Sequence, residues 1–221
     1  GYKDIDAFTE AVVPKNILNN DLPNIGEPLS EQSALKKLKE IAKKNVVVKS
    51  MIGQGYYSGY MPNVIKRNVF ENPGWYTSYT PYQAEISQGR LEALINFQTM
   101  VADLTNLDIA NASLLDEPTA AAEAMTLAHR SSKSKSDTFL VDKNCFPQTV
   151  SIVKARAKPL GINVEVVDLK EFNESEAFGA LFQFPGNDGS VEISTELLAP
   201  LKDKGIITIA ATDLLALTLI K

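Results

Sequence analysis

The chain has 221 residues, with 22 Lys and Arg against 27 Asp and Glu for a net charge of −5, and 44% of it is hydrophobic. That length suits one α/β domain, alone or with a smaller appendage, and the composition excludes a disordered or fibrous protein. No apolar run reaches the roughly 20 residues of a membrane helix, and mild acidity without a Lys/Arg stripe speaks against nucleic acid and membrane surfaces.

One cysteine (Cys145) and one histidine (His129) rule out an intrachain disulfide and leave too few ligands for a Cys/His zinc site. A single histidine is also one base at most for Ser/His or Cys/His chemistry, so a reactive group is expected from a cofactor or a partner chain. The opening Gly1-Tyr-Lys-Asp4 lacks the charged-then-apolar pattern of a secretory signal, and nothing in it points to secretion.

In chain order, Asp4 to about Val13 reads as a short amphipathic helix stopped by Pro14, and 14–28 as irregular Pro/Asn/Gly-rich chain. Ser30 opens a second helix, Glu31 to Lys44, whose lysines form a solvated face. Residues 51–90 hold six of the seven tyrosines and the only tryptophan, Trp75, with little apolar periodicity. A long aromatic loop of this kind suits a binding loop or a wrap against a partner, with a self-packed surface loop as the bland alternative.

From Arg90 the pattern alternates. Helix Leu91–Thr105 leads to a strand over Asp108–Leu114, and an Ala-rich helix follows over Thr119–His129. Strand Thr138–Val141, helix Pro147–Ala157, strand Asn163–Val167, strand Phe178–Phe184, helix Ser194–Lys204 and strand Ile206–Ala211 complete it. Such alternation predicts a mostly parallel sheet covered on both faces. The apolar stretch Asp213–Ile220 follows the last strand directly, which suggests an incomplete sheet whose other strands lie elsewhere.

Four positions invite chemistry. The turn before the Ala-rich helix resembles a phosphate loop, but Asp116 and Glu117 stand where the anion would sit and are better read as helix caps. Asp213 lies at the carboxyl end of a strand expected to be central, where it suits equally a protonated ring nitrogen of a cofactor and an N-cap. His129 complements the dipole at a helix C-terminus. Cys145 stands at a helix start, which would lower its pKa, but without a partner base it reads as a structural thiol.

The segments Ile52-Gly-Gln-Gly-Tyr-Tyr57, Tyr79-Thr-Pro-Tyr-Gln83, Glu85-Ile-Ser-Gln-Gly-Arg-Leu-Glu-Ala93, Asn96-Phe-Gln-Thr-Met100 and Asp108-Ile-Ala-Asn-Ala-Ser-Leu-Leu-Asp-Glu117 resemble the P-protein of the glycine cleavage system. The likeness extends over almost the whole chain and is that of the front part of the N-terminal half. It implies an α/β, aminotransferase-like (fold type I) three-layer large domain over 91–221, incomplete here. The domain is preceded by an N-terminal helical segment, 1–50, and by an aromatic loop, 51–90, that reaches a partner active site.

The resemblance also implies an activity, the decarboxylation of glycine with pyridoxal 5'-phosphate and transfer of the aminomethyl group to the lipoyl arm of H-protein. The lysine that binds this cofactor belongs to a C-terminal half or second subunit; the family's His-Lys pair is absent, since His129 is followed by Arg130. Carried over by position, Tyr79 and Tyr82 line the glycine pocket and Ser87, Gln88 and Gly89 approach the cofactor phosphate, with Thr119 and Asp213 as weaker cofactor candidates. Phe146 departs from the family's usual histidine, keeping a ring but losing a proton donor. The isolated chain is expected to be inactive and to reside in bacterial cytoplasm or mitochondrial matrix. Two rival readings remain: a non-catalytic interaction subunit or inactive fragment, and a free-standing nucleotide-binding domain, the latter lacking any Gly-rich GxGxxG turn.

Overall fold

The computed structural model describes residues 1–21, 23–174, 176–191 and 195–220, which fall into two units, Gly1–Lys49 and Ser50–Lys221. The first unit carries two helices. α1 (Ile5–Val12) starts where Asp4 accepts the N–H of Ala7 at 2.8 Å, and α2 (Glu31–Ala42) where Ser30 accepts that of Ser33 at 3.3 Å. These are the side-chain caps that short polar residues supply to orphan first-turn donors. Neither helix has a fully buried residue.

The second unit opens with residues 51–86, a run of short turns: α3 (Asn63–Ile65), a π-turn over Lys66–Phe70, α4 (Pro73–Tyr76) and a 3₁₀ turn over Ala84–Ile86. α5 (Gln88–Thr105) follows and ends where Asn106 takes a left-handed conformation, φ 55°. It begins three residues before the expected Leu91.

The strand expected over Asp108–Leu114 is absent, and the segment is irregular chain. It meets no strand to pair with, and its apolar side chains stay in solvent, Ile109 at 85% exposure. The Gln98 amide holds it to α5 by donating to Ala110 O at 2.8 Å.

The rest is an α/β layer. α6 (Glu117–Ser131), capped by Asp116 and with Pro118 in its first turn, presents Ala121, Ala122, Met125 and Ala128 as a small-residue face that lies close on the sheet. The strands are β1 (Thr138–Asp142), β2 (Asn163–Val167), β3 (Gly179–Phe184) and β4 (Ile207–Thr212), all parallel in the order β2-β1-β3-β4. α7 (Pro147–Ala157) connects β1 to β2, and α8 (Thr195–Asp203) precedes β4. Ser194, the expected first residue of that last helix, lies outside the described residues. Among the described strands β4 lies outermost, not central as expected for the strand before Asp213, and the stretch after it is a 3₁₀ turn, Leu214–Thr218.

Alternation along β1 splits the core. Phe139 and Val141 face α6 and α7 together with Phe178, Leu181 and Val153, while Leu140 faces Phe172, Ala180, Leu201 and Ile206 on the other side. β3 is buried along its whole length, as a parallel strand between two helical layers must be. Gly179 is glycine for space, since a Cβ there would sit 3.0 Å from the Phe139 ring. Each fully buried large apolar side chain contributes about 1.5–3 kcal/mol, so Phe139, Phe178, Leu140 and Leu181 anchor the layer. Among the described residues no helix is long and apolar enough to cross a membrane.

Candidate functional site

β1 has β2 on one side and β3 on the other, so the direction of winding reverses between β1 and β3. Beyond the carboxyl ends of strands at such a reversal lies the usual ligand crevice of an open α/β sheet. Here that edge holds a cavity of about 60 Å³, lined by Gly55, Tyr57, Glu117, Phe146, Gln183, Phe184, Pro185, Thr212 and Asp213. Strands, the start of α6 and the Gly53–Gly55 turn of the aromatic segment all contribute to it.

The cavity is acidic. Burial pushes the Glu117 carboxyl up from its ordinary value and the charge of Asp213 adds to this, against a hydrogen bond from Gln183. Gln183, only 6% exposed, donates its amide to Glu117 Oε1 at 3.3 Å and to Ala211 O at 3.0 Å. Its own Oε1 is buried and without a hydrogen bond among the described residues. Nearby, burial also raises the pKa of Asp142 at the end of β1. Lys143, the next residue, pairs with Asp168 at 2.6 Å, which raises the lysine's pKa and lowers the aspartate's.

A pyridoxal phosphate, the group the resemblance implies, does not fit this edge. Ligand pockets measure about 300–1,000 Å³, several times the space left by the Phe146 ring and the Gly55 backbone. A phosphate would also meet the carboxylates of Glu117 and Asp213. Thr119 lies on the first turn of α6 with its N–H donated to Asp116 Oδ1 at 2.8 Å, and Asp213 accepts the N–H of Ala216 at 3.1 Å. Both carboxylates therefore act as helix caps in this fold. Asp116 is held below the usual carboxylate range by the hydrogen bonds of Thr119.

The other residues singled out in the sequence lie apart from this cavity. Tyr79 is half-buried, with its hydroxyl donating to Gln83 Oε1 at 3.3 Å, and Tyr82 is 91% exposed. Ser87 is buried and donates its hydroxyl to Gln83 O at 2.6 Å, whereas Gln88 and Gly89 are exposed at the start of α5. Nothing lies within 4 Å of the space beside Gly89 Cα. The first-turn N–H groups of a helix have no intrahelical acceptor, so that end of α5 presents free donors to open space.

His129 pairs with Asp137 at 3.7 Å and sets its ring edge-on to Phe178. Cys145 is buried, and its thiol is pushed up to about 12 by burial first and then by the charges of Asp142 and Glu117. The lowering expected of a helix start is thus overridden by desolvation. Among the described residues no group of three or more His, Cys, Asp or Glu side chains is placed to hold a metal ion.

Sequence reasoning missed Gln183 and Gln148. The first carried a signal, a polar residue in the otherwise apolar run Phe178–Phe184. The second carried none, because its partner, Gln54, is 94 residues away.

Comparison with known proteins adds identity to this geometry. The model of the family "Glycine cleavage system P-protein" matches residues 1–221. Among curated relatives, a glycine dehydrogenase (decarboxylating) of Agrobacterium fabrum is 54% identical, and those of Stenotrophomonas maltophilia and Dechloromonas aromatica are each 55% identical. Each match covers 100% of this chain and 23% of the relative, so the chain spans about a quarter of their length. A crystal structure of glycine decarboxylase (P-protein) of the glycine cleavage system, in inhibitor-bound form, superimposes with a TM-score of 0.86 at 30% identity. That match covers 100% of this chain and 51% of the other. The four-stranded parallel layer is thus a portion of an α/β, fold type I architecture, and the chain belongs to the glycine cleavage system P-protein family.

Proposed function

We propose that this chain is the front part of the N-terminal half of a glycine-decarboxylating P-protein and serves as a wall of an active site whose cofactor is held elsewhere. The observation that carries this reading is a contrast within one unit. The sheet's own carboxyl edge is nearly closed and acidic, whereas none of residues 51–86 is buried and Trp75 and five of their six tyrosines face solvent. Exposed aromatic surface of that extent suits a segment built to be covered by another surface.

In this reading a lysine of the C-terminal half holds pyridoxal phosphate, which supplies the electron sink for loss of the glycine carboxylate. Tyr79 and Tyr82 bound the glycine pocket with rigid rings whose hydroxyls orient a small zwitterion. The backbone N–H groups of Gln88 and Gly89 approach the cofactor phosphate at the start of α5, where the helix dipole favours an anion. The Ser87 hydroxyl, donated to Gln83 O, fixes the entry to that helix. The aminomethyl product then passes to the lipoyl arm of H-protein, in bacterial cytoplasm or mitochondrial matrix.

The test mixes purified chain with pyridoxal phosphate and carboxyl-labelled glycine. The expected result is no lysine-bound cofactor absorbance and no released label, with turnover appearing once the lysine-bearing half is supplied. Turnover by the chain alone overturns the proposal. Tight pairing with that half without turnover favours a non-catalytic interaction subunit.

A further inference from the structure

The Gly53–Gln54–Gly55 turn places three successive residues in the left-handed region, at φ 66°, 55° and 83°. Gln54 is not a glycine, so its conformation is disfavoured by its own Cβ and persists only where surroundings impose it. Two contacts within the same unit do so. The Gln148 side chain, on the first turn of α7, donates Nε2 to Gln54 O at 2.9 Å. The Phe146 ring lies so close to Gly55 that a Cβ there would be 2.9 Å from Cε2. A local bond from Tyr56 N to Gly53 O at 2.9 Å closes the turn. Immediately after it come Tyr56 and Tyr57, both exposed.

We infer that Gln148 is a positioning residue: its amide latches the strained turn onto the carboxyl edge of the sheet and so sets the direction in which Tyr56 and Tyr57 leave it toward the glycine site. The inference rests on the reading that the aromatic segment lines that site. The chemistry asks for a neutral donor of this length. A carbonyl is the acceptor, so a carboxylate at position 148 would repel it and an aliphatic group would leave it unbonded. Gln148 is half-buried and supplies no part of either core cluster, so packing of the core does not call for glutamine there.

The experiment uses a full-length P-protein carrying this segment, with Gln148→Leu and Gln148→Glu. Gly55→Ala breaks the same latch from the loop side. Hydrogen exchange over residues 52–57 reads the turn, and steady-state kinetics reads glycine. The expected result is faster exchange confined to that turn, a rise of about 3–10-fold in KM for glycine, the worth of one neutral hydrogen bond, and kcat within about twofold. Exchange unchanged in both Gln148 variants overturns the latch, whatever the kinetics. Faster exchange with unchanged KM overturns the link to glycine binding. In that case Tyr82→Phe separates the two failures: a silent Tyr82→Phe condemns the placement of the whole segment, whereas an impaired one condemns only the role of the turn.

Discussion

The buried thiol of Cys145 gives a quantitative check on the edge of the sheet. Its pKa is pushed from the ordinary 9.0 up to about 12, by burial first and then by Asp142 and Glu117. Only the thiolate attacks an alkylating reagent. At pH 8 about a tenth of an ordinary thiol is ionised, against roughly one part in ten thousand for a pKa near 12, so the native rate should be about 1,000-fold slower. Iodoacetamide labelling at pH 8, followed by mass spectrometry of the peptide holding Cys145, measures this, with the same protein in denaturant as reference. Asp142→Asn, which removes the carboxylate that acts more strongly on the thiol, should speed native labelling while leaving the denatured rate alone. The linkage has a definite sign. A thiol whose folded pKa is raised stabilises the fold fully below pH 9 and loses that contribution as pH rises from there toward 12, by about 1 kcal/mol per pH unit. Native labelling within about tenfold of the denatured rate would refute the reasoning, because neither burial nor the acidic surroundings would then be acting on the sulfur.

Other consequences are simpler to check. Phe139→Ala, at a fully buried ring stacked on Phe178, should cost about 3–5 kcal/mol and lower the denaturant midpoint without changing the slope. Asp116, whose carboxyl is held below 3.8 by Thr119, stabilises the start of α6 above that pH and loses the contribution as pH falls below it. Protection factors at the Thr119 and Ala120 amides should therefore fall on acidification, and Asp116→Asn should flatten that dependence while still capping the helix. Tyr82→Phe in the assembled enzyme should cut turnover while leaving the melting temperature within about one or two degrees, as an exposed ring should. A large loss of thermal stability would instead identify Tyr82 as packing.

The α/β layer was legible in the sequence because its elements answer to local rules. Pro147 at the start of α7 and the buried spacing of Thr149, Val153 and Ala157 announce one helix, and the unbroken apolar run of β3 announces a strand covered on both faces. The same rules misread Asp108–Leu114, where the apolar residues lack a neighbouring strand and Ile109 is left 85% exposed. Apolar content signals that a segment will be covered, not by what. The caps at Asp116 and Asp213 were half-legible, since a carboxylate before a helix serves a dipole and a cofactor alike. Only the fold shows each accepting a first-turn N–H. The π-turn at Lys66–Phe70 and the meeting of Gln148 with Gln54 follow no local period, because both depend on contacts that tertiary packing creates.

The outer flank of β4 has a further consequence for assembly. Four parallel strands drawn from the contiguous stretch 138–212 form a seed with short loop closures, which can organise before more distant chain is recruited. The row of backbone donors and acceptors along Ile207–Thr212 that no described strand takes up is then the template on which any later strand must register. Until it is taken, the same row invites a strand from a second molecule, so a seed produced by itself should be prone to edge-to-edge clumping.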